Sequence, residues 1–168
     1  MKKIHLIRHG KSSWKDGSLS DHDRPLNKRG VKSCRIMAPH IQQAGCTFQH
    51  VYCSTAVRAE STIEHISLCL PGMDIHWQRD PALYTFSTHA LFSWFRQLDE
   101  ALTEVVVIGH NPALTDFCNQ VSMSDIENLP TCSYAQLHFD GSWKDLSTNS
   151  VELVCLLKPK QFRTLDQP

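Results

Sequence analysis

Glu104-Val105-Val106-Val107-Ile108-Gly109-His110-Asn111-Pro112 sets four consecutive β-branched residues against an abrupt polar stop. An apolar run without alternation fits a strand covered on both faces, as the strands of a parallel sheet are. Asn111 is a natural helix N-cap and Pro112 a favoured first helical residue. The strand is therefore expected to feed straight into a helix, whose buried stripe is Leu114, Phe117, Cys118 and Val121. A buried strand followed at once by a helix is the building unit of doubly covered α/β sheets.

The same alternation recurs in both directions. Ile4 to Ile7 reads as a first strand that stops on Arg8-His9-Gly10, and Lys11 to Leu26 as a polar loop containing Asp16-Gly17 and Arg24-Pro25. Loops of that length in small domains are often functional. From Asn27, the residues Val31, Cys34, Met37, Ala38 and Ile41 recur at helical spacing, with Gly45 as the stop. Pro39 is expected to kink that helix or end it early, since an interior proline costs about 3 kcal/mol. Val51 to Cys53 is a short strand, with Ser54-Thr55 as the cap of a helix carrying Ala59, Ile63, Ile66 and Leu70 and ended by Pro71-Gly72. Ser87 caps a segment whose Leu91, Trp94, Phe95 and Leu98 read as core. Ala135, Leu137 and Phe139 alternate along a strand, Asp140-Gly141 turns, and Val151 to Leu157 is a final buried strand. Together these predict one domain over residues 1–168, a three-layer α/β/α sandwich with a mostly parallel central sheet and an antiparallel member.

Composition narrows the function. Seventeen Lys and Arg balance seventeen Asp and Glu, so no global field recruits nucleic acid or an anionic membrane, and any preference for an anion must be local. The seven cysteines are odd in number and form no C-x-x-C pair, which argues against a disulfide framework or a zinc cage and for reduced core residues in a cytoplasmic protein. His5 and His9 have the spacing of a helical metal pair, but on a strand they stand well apart along one face. Lys2-Lys3 precede too short an apolar stretch for a signal peptide, and no segment is long enough to span a bilayer.

Three strand ends carry groups of matching chemistry: Arg8 and His9 after the first, Arg58 just inside the helix after the second, and His110 after Val105 to Ile108. Parallel strands would bring them to one crevice, where ligands of open α/β sheets gather. A neutral imidazole can attack phosphorus, guanidinium groups hold the equatorial oxygens, and a second histidine can donate a further hydrogen bond. Taken singly, Arg58 fits a surface residue paired with Glu60 or Glu64 better than a site residue, and His110 fits a satisfied core or capping histidine as well as a site one. Their joint occurrence at three strand ends favours a phosphate site.

Here the sequence resembles the histidine phosphatase superfamily, and within it the short SixA-type phosphohistidine phosphatases. The similarity runs through Leu6-Ile7-Arg8-His9-Gly10-Lys11-Ser12-Ser13-Trp14, Asp23-Arg24-Pro25-Leu26-Asn27 with Arg29-Gly30, and Cys53-Ser54 with Arg58-Ala59 and Thr62. It continues through Leu83-Tyr84 and Val107 to Pro112 to Leu156-Leu157-Lys158-Pro159-Lys160. The resemblance implies a phosphoglycerate mutase-like fold, His9 as phosphorylated nucleophile, Arg8, Arg58 and His110 as phosphate pocket, and hydrolysis without metal or cofactor. Two departures stand out. Lys15 occupies a position where mutase-like relatives have asparagine, and no glutamate lies around Leu83-Tyr84-Thr85-Phe86, where those relatives carry a proton donor. Asp21, Asp23 and Asp80 are substitutes by residue type only, so the proton donor is left open. The missing acid points to a phosphohistidine on a phosphorelay or phosphotransfer protein as substrate. A small-molecule phosphomonoesterase of the same superfamily is the alternative, and a silent phosphate-binding module a third reading.

Overall fold

The structure is a computed structural model that describes residues 1–163; the last five residues of the expected single domain lie outside it. Ten main elements follow in order: β1 (Lys2–Arg8), α1 (Lys28–Gln43), β2 (Val51–Cys53), α2 (Val57–Leu68), β3 (Trp77–Arg79), α3 (Thr88–Arg96), β4 (Glu104–Gly109), α4 (Ala113–Ser122), β5 (Tyr134–Phe139) and β6 (Val151–Leu157). The strands form one six-stranded sheet in the order β3-β2-β4-β1-β5-β6. β3, β2, β4 and β1 are mutually parallel, and β5 runs antiparallel to both its neighbours.

Alternation along the central strands builds a core on each face of the sheet. Ile4, Leu6, Val105 and Val107 pack with Leu91, Phe95, Leu114 and Phe117 of α3 and α4. Ile7, Val106 and Ile108 pack with Met37 and Ile41 of α1 and Ile63 and Ile66 of α2. This is the three-layer sandwich the sequence predicts. β1 to β2 to β3 steps one way across the sheet with its helices on one face, and β3 to β4 steps back with α3 on the other. The connections leaving the neighbouring strands β1 and β4 therefore depart to opposite faces. That opens a crevice at Arg8 and Gly109, which are paired in register.

Several local expectations change. α1 runs through Pro39 to Gln43, so the proline does not end it; burial of Met37, Ala38 and Ile41 outweighs the lost hydrogen bond. Ser54-Thr55 does not cap α2, whose N-cap is Ala56. Asn111 still accepts the Thr115 N–H at 3.1 Å, but Pro112 takes the cap position and α4 starts at Ala113. β6 is an edge strand in which Val151 is the one buried residue, because among the described residues nothing pairs with its outer side. β3 escapes the pattern altogether, being three residues long and mostly exposed. The seven cysteines are free, five of them buried.

The long loop after β1 is closed on itself rather than slack. Ser12 bridges Leu26, the Asn27 N–H donates to the Lys11 carbonyl at 2.9 Å, and the Asn27 side chain caps α1 by accepting from Gly30 N at 2.8 Å. Gly30 lies so close to the loop that a Cβ there would collide with the Lys11 carbonyl oxygen. Gly30→Ala is expected to cost about 1–3 kcal/mol through backbone overpacking, read as a lower urea midpoint at unchanged m. Gly17→Ala, whose Cβ would meet nothing within 4 Å, should stay within about 0.5 kcal/mol of wild type. Equal losses from the two substitutions would contradict the packing argument.

Candidate active site

Arg8, His9, Lys11, Ser12, Trp14, Asp21, Arg24, Arg58, Phe86, Asn111 and Thr131 line a cleft of roughly 400 Å³ at the ends of β1, β2 and β4. Backbone bonds hold its floor level: His9 N–H donates to the Gly109 carbonyl at 3.2 Å and Ser54 N–H to the Ile108 carbonyl at 3.0 Å. A larger hollow of about 540 Å³ lies at Tyr52, Asp80 and Trp94, but it has no cationic cluster, and Asp80 there accepts the Trp94 indole N–H at 2.8 Å.

All four residues singled out from the sequence converge. The His9 Nδ1 lies 2.7 Å from the Gly10 carbonyl oxygen, which can only accept. Nδ1 therefore carries the proton, and Nε2 presents a lone pair. Arg58 Nε–H donates to that Nε2 at 3.3 Å, and Arg58 NH2 donates to His110 Nδ1 at 3.3 Å. His110 Nε2 in turn donates to the Ser54 hydroxyl, 2.7 Å away. The two imidazole rings are 5.1 Å apart between centroids. Arg8 donates from Nη1 to the Leu129 carbonyl at 2.7 Å, while its Nε and that of Arg24 are buried without an acceptor among the described residues.

Burial is the main reason both imidazoles stay neutral. It pushes His9 down to about 4, with Arg58, Arg8 and Arg24 adding in the same direction against the Gly10 hydrogen bond. It pushes His110 down to about 3, helped by His9 and Arg58. Such a site is a nucleophile-ready imidazole among guanidinium groups, suited to an oxyanion and to charge on equatorial phosphoryl oxygens.

The three acids left open by the sequence separate cleanly. Asp23 faces His22 at 3.3 Å on the surface, and Asp80 caps the turn at Pro81–Leu83 by accepting from Ala82 N. Asp21 alone enters the cleft. It accepts from Arg24 NH2 at 3.0 Å, Arg58 NH2 at 2.9 Å and the Tyr84 hydroxyl at 2.6 Å. Partial burial opposes its ionisation, but those hydrogen bonds prevail and hold its carboxyl well below the usual carboxylate range.

Arg24, Tyr84 and Ser54 are participants that residue-by-residue reasoning did not assign. Arg24 is buried, donates to the Ser12 hydroxyl at 2.7 Å and stacks 3.4 Å from the ring of Trp14, which is 76% exposed. The available signal was Asp21 three residues before Arg24 inside a loop too long to be a plain connector. The His5–His9 pair is indeed split: the neutral His5 donates from Nε2 to Glu104 at 2.8 Å and accepts from the Tyr134 hydroxyl at 2.7 Å. Donor atoms of His5, Cys46 and Glu104 lie within 4.8 Å of one another, a grouping invisible to sequence spacing. Among the described residues no helix is long and apolar enough to cross a membrane.

Residues 4–86 match the family model of the histidine phosphatase superfamily, branch 1. An uncharacterised Mycobacterium tuberculosis protein, Rv1276c, is 29% identical over 164 residues, covering 92% of this chain and 100% of that one. The Escherichia coli phosphohistidine phosphatase SixA is 29% identical over 112 residues, covering 66% of this chain and 68% of that one. The structure of a protein histidine phosphatase SixA complexed with tungstate superposes with a TM-score of 0.79 at 20% identity, covering 96% and 99% of the two chains. The sandwich that carries the two imidazoles and two guanidinium groups at adjacent strand ends is thus a phosphoglycerate mutase-like fold. The chain belongs to the histidine phosphatase superfamily, and its fold is that of the SixA proteins.

Neutral buried imidazoles also leave a mark on stability. His9 and His110 bind protons in the unfolded chain near pH 6.5 but in the folded protein only near 4 and 3. Their contribution is whole above about pH 6.5 and is lost as pH falls towards 4, by up to about 1.4 kcal/mol per pH unit for each ring. Urea unfolding at pH 7, 5.5 and 4.5 should show this decline, and His110→Gln should flatten it. An unchanged slope in the variant would contradict the assignment.

Proposed function

We propose that the protein is a phosphohistidine phosphatase that takes a phosphoryl group from a histidine-phosphorylated protein onto His9 and releases it to water. The observation that carries this reading is the His9 tautomer, with Nδ1–H spent on the Gly10 carbonyl and an unprotonated Nε2 facing Arg58 and the cleft. In the first step the His9 Nε2 lone pair forms a P–N bond as the P–N bond to the departing imidazole breaks. In the second, water attacks phosphorus, the bond to His9 breaks, and inorganic phosphate leaves. Arg8 and Arg58 neutralise the phosphoryl oxygens throughout. His110 assists because the Ser54 hydroxyl can either give or take a hydrogen bond, which lets the ring turn an N–H towards the phosphoryl group.

The carboxylates support this substrate class. Among the described residues lining the cleft Asp21 is the one acid, and its oxygens are committed to Arg24, Arg58 and Tyr84. General acid help is worth roughly 10²–10⁴-fold and matters most for an alkoxide leaving group. Imidazole leaves far more easily, and transfer between two imidazoles is nearly balanced in energy. The E. coli relative is a phosphohistidine phosphatase, which supports the same choice. The free cysteines suit a reducing cytoplasm, where phosphorelay and phosphotransfer proteins are found.

The test offers the protein a histidine-phosphorylated phosphotransfer protein, phosphoserine peptides and sugar phosphates side by side. Fastest turnover of the phosphohistidine protein, with at least a thousandfold loss in His9→Ala, is the expected result. A clear preference for a sugar phosphate or another small ester would overturn the protein-substrate reading in favour of a small-molecule phosphomonoesterase.

A further inference from the structure

A guanidinium group offers two forks of N–H donors, one side-on from Nε and NH2 and one end-on from NH1 and NH2. In Arg58 both are used, and for different things. The side-on fork points at the gap between the imidazoles, 3.3 Å from His9 Nε2 and 3.3 Å from His110 Nδ1. The end-on fork is held entirely by one residue: NH1 donates to the Asp21 backbone carbonyl at 2.5 Å and NH2 to Asp21 Oδ2 at 2.9 Å. The other carboxylate oxygen of Asp21 holds Arg24, and Tyr84, whose ring meets His110 edge-on at 5.3 Å, donates to Oδ2.

We propose that Asp21 is a positioning residue for the phosphoryl site: it grips the outer edge of Arg58 and one edge of Arg24, so that the inner fork of Arg58 stays turned to the space between His9 and His110. The inference rests on the phosphatase reading above and extends it to a residue outside the strand-end motifs. The geometry excludes two other roles. Asp21 is not a free proton donor, since both oxygens already accept hydrogen bonds from cations or a phenol. It is not an attractive contact for the substrate either, because an anion beside the pocket repels a phosphoryl group. What remains is orientation, and orientation has an opposite sign from charge. Removing a purely electrostatic carboxylate would tighten anion binding, whereas removing a clamp loosens the fork and weakens it. Misplacement of a catalytic group by about 1 Å is enough to cost roughly 10²-fold in rate.

The neighbours reinforce the clamp. His22, next in the same turn, bonds Thr55 Oγ1 at 2.9 Å, and that ties the loop to the segment leading into α2, which carries Arg58. Thr62, one turn beyond, donates to the Arg58 carbonyl at 2.7 Å and accepts from Gly10 N at 2.9 Å. Arg58 is thus fixed at its backbone by α2 and at its tip by Asp21.

Asp21→Asn and Tyr84→Phe are to be compared with wild type by two readouts. One is the dissociation constant of tungstate as a phosphoryl mimic; the other is the Arg58 Nε–H resonance in ¹⁵N-labelled protein, assigned by its absence in Arg58→Lys. D21N is expected to weaken tungstate binding roughly tenfold and to broaden the Arg58 signal through exchange, with a melting temperature within a few degrees of wild type. Y84F should move both readouts the same way by less, and it decides the question if D21N does not fold. Tungstate binding in D21N as tight as wild type or tighter, with the Arg58 signal unchanged, would overturn the role of Asp21 alone. Failure of wild-type protein to bind tungstate would instead overturn the phosphatase reading, and this inference with it.

Discussion

The hydrogen bond from His9 Nδ1 to the carbonyl of its own neighbour Gly10 decides what the cleft can do. It assigns the ring proton to one nitrogen and leaves the other as a lone pair aimed at Arg58. That carbonyl is itself anchored, because the Gly10 N–H is taken by Thr62 of α2 and Cys132 N–H donates to the Arg8 and His9 carbonyls from the other side. Gly10 also passes close to Leu26 and Gly30, so a larger residue would press the strand end against α1. The tautomer of His9 is therefore a consequence of how β1, α1 and α2 pack, and it needs no separate base to set it.

A cluster of three buried or half-buried arginines around two buried histidines is electrostatically costly unless something compensates. Neutral imidazoles reduce that cost, and among the described residues lining the cleft Asp21 provides the one opposing charge. Its hydrogen bonds to Arg24 and Arg58 partly neutralise those groups and fix how they are turned. The same commitment leaves Asp21 no free oxygen for acid catalysis, and under the proposed phosphohistidine reading the leaving group departs without one.

Much of this was legible in the sequence, for reasons that can be named. Val105 to Ile108 and Ile4 to Ile7 are buried on both faces, so their patterns are unambiguous, and their strand ends place His110 and His9 whatever the rest does. Arg58 follows from a helix that must start directly after β2. β3 is hidden in the sequence because three mostly exposed residues carry no periodic signal, and the apolar composition of β6 does not reveal that it lies at an edge. At Pro39 the local cost alone leaves the end of α1 open, and the burial of Met37, Ala38 and Ile41 that carries the helix through to Gln43 is not visible in the residue itself. The roles of Asp21, Arg24 and Tyr84 were hidden for a different reason. They come from a closed loop and from a turn more than fifty residues away, and their meeting depends on tertiary packing that spacing along the chain does not encode.

The central claim is that His9 Nε2 accepts the phosphoryl group. Phosphorylating ¹⁵N-histidine-labelled protein with phosphoramidate and recording ³¹P–¹⁵N correlations tests it directly. The account predicts a single acid-labile phosphohistidine at His9 with phosphorus coupled to Nε2. Coupling to Nδ1, or phosphate appearing at His110 while His9 stays free, would contradict it.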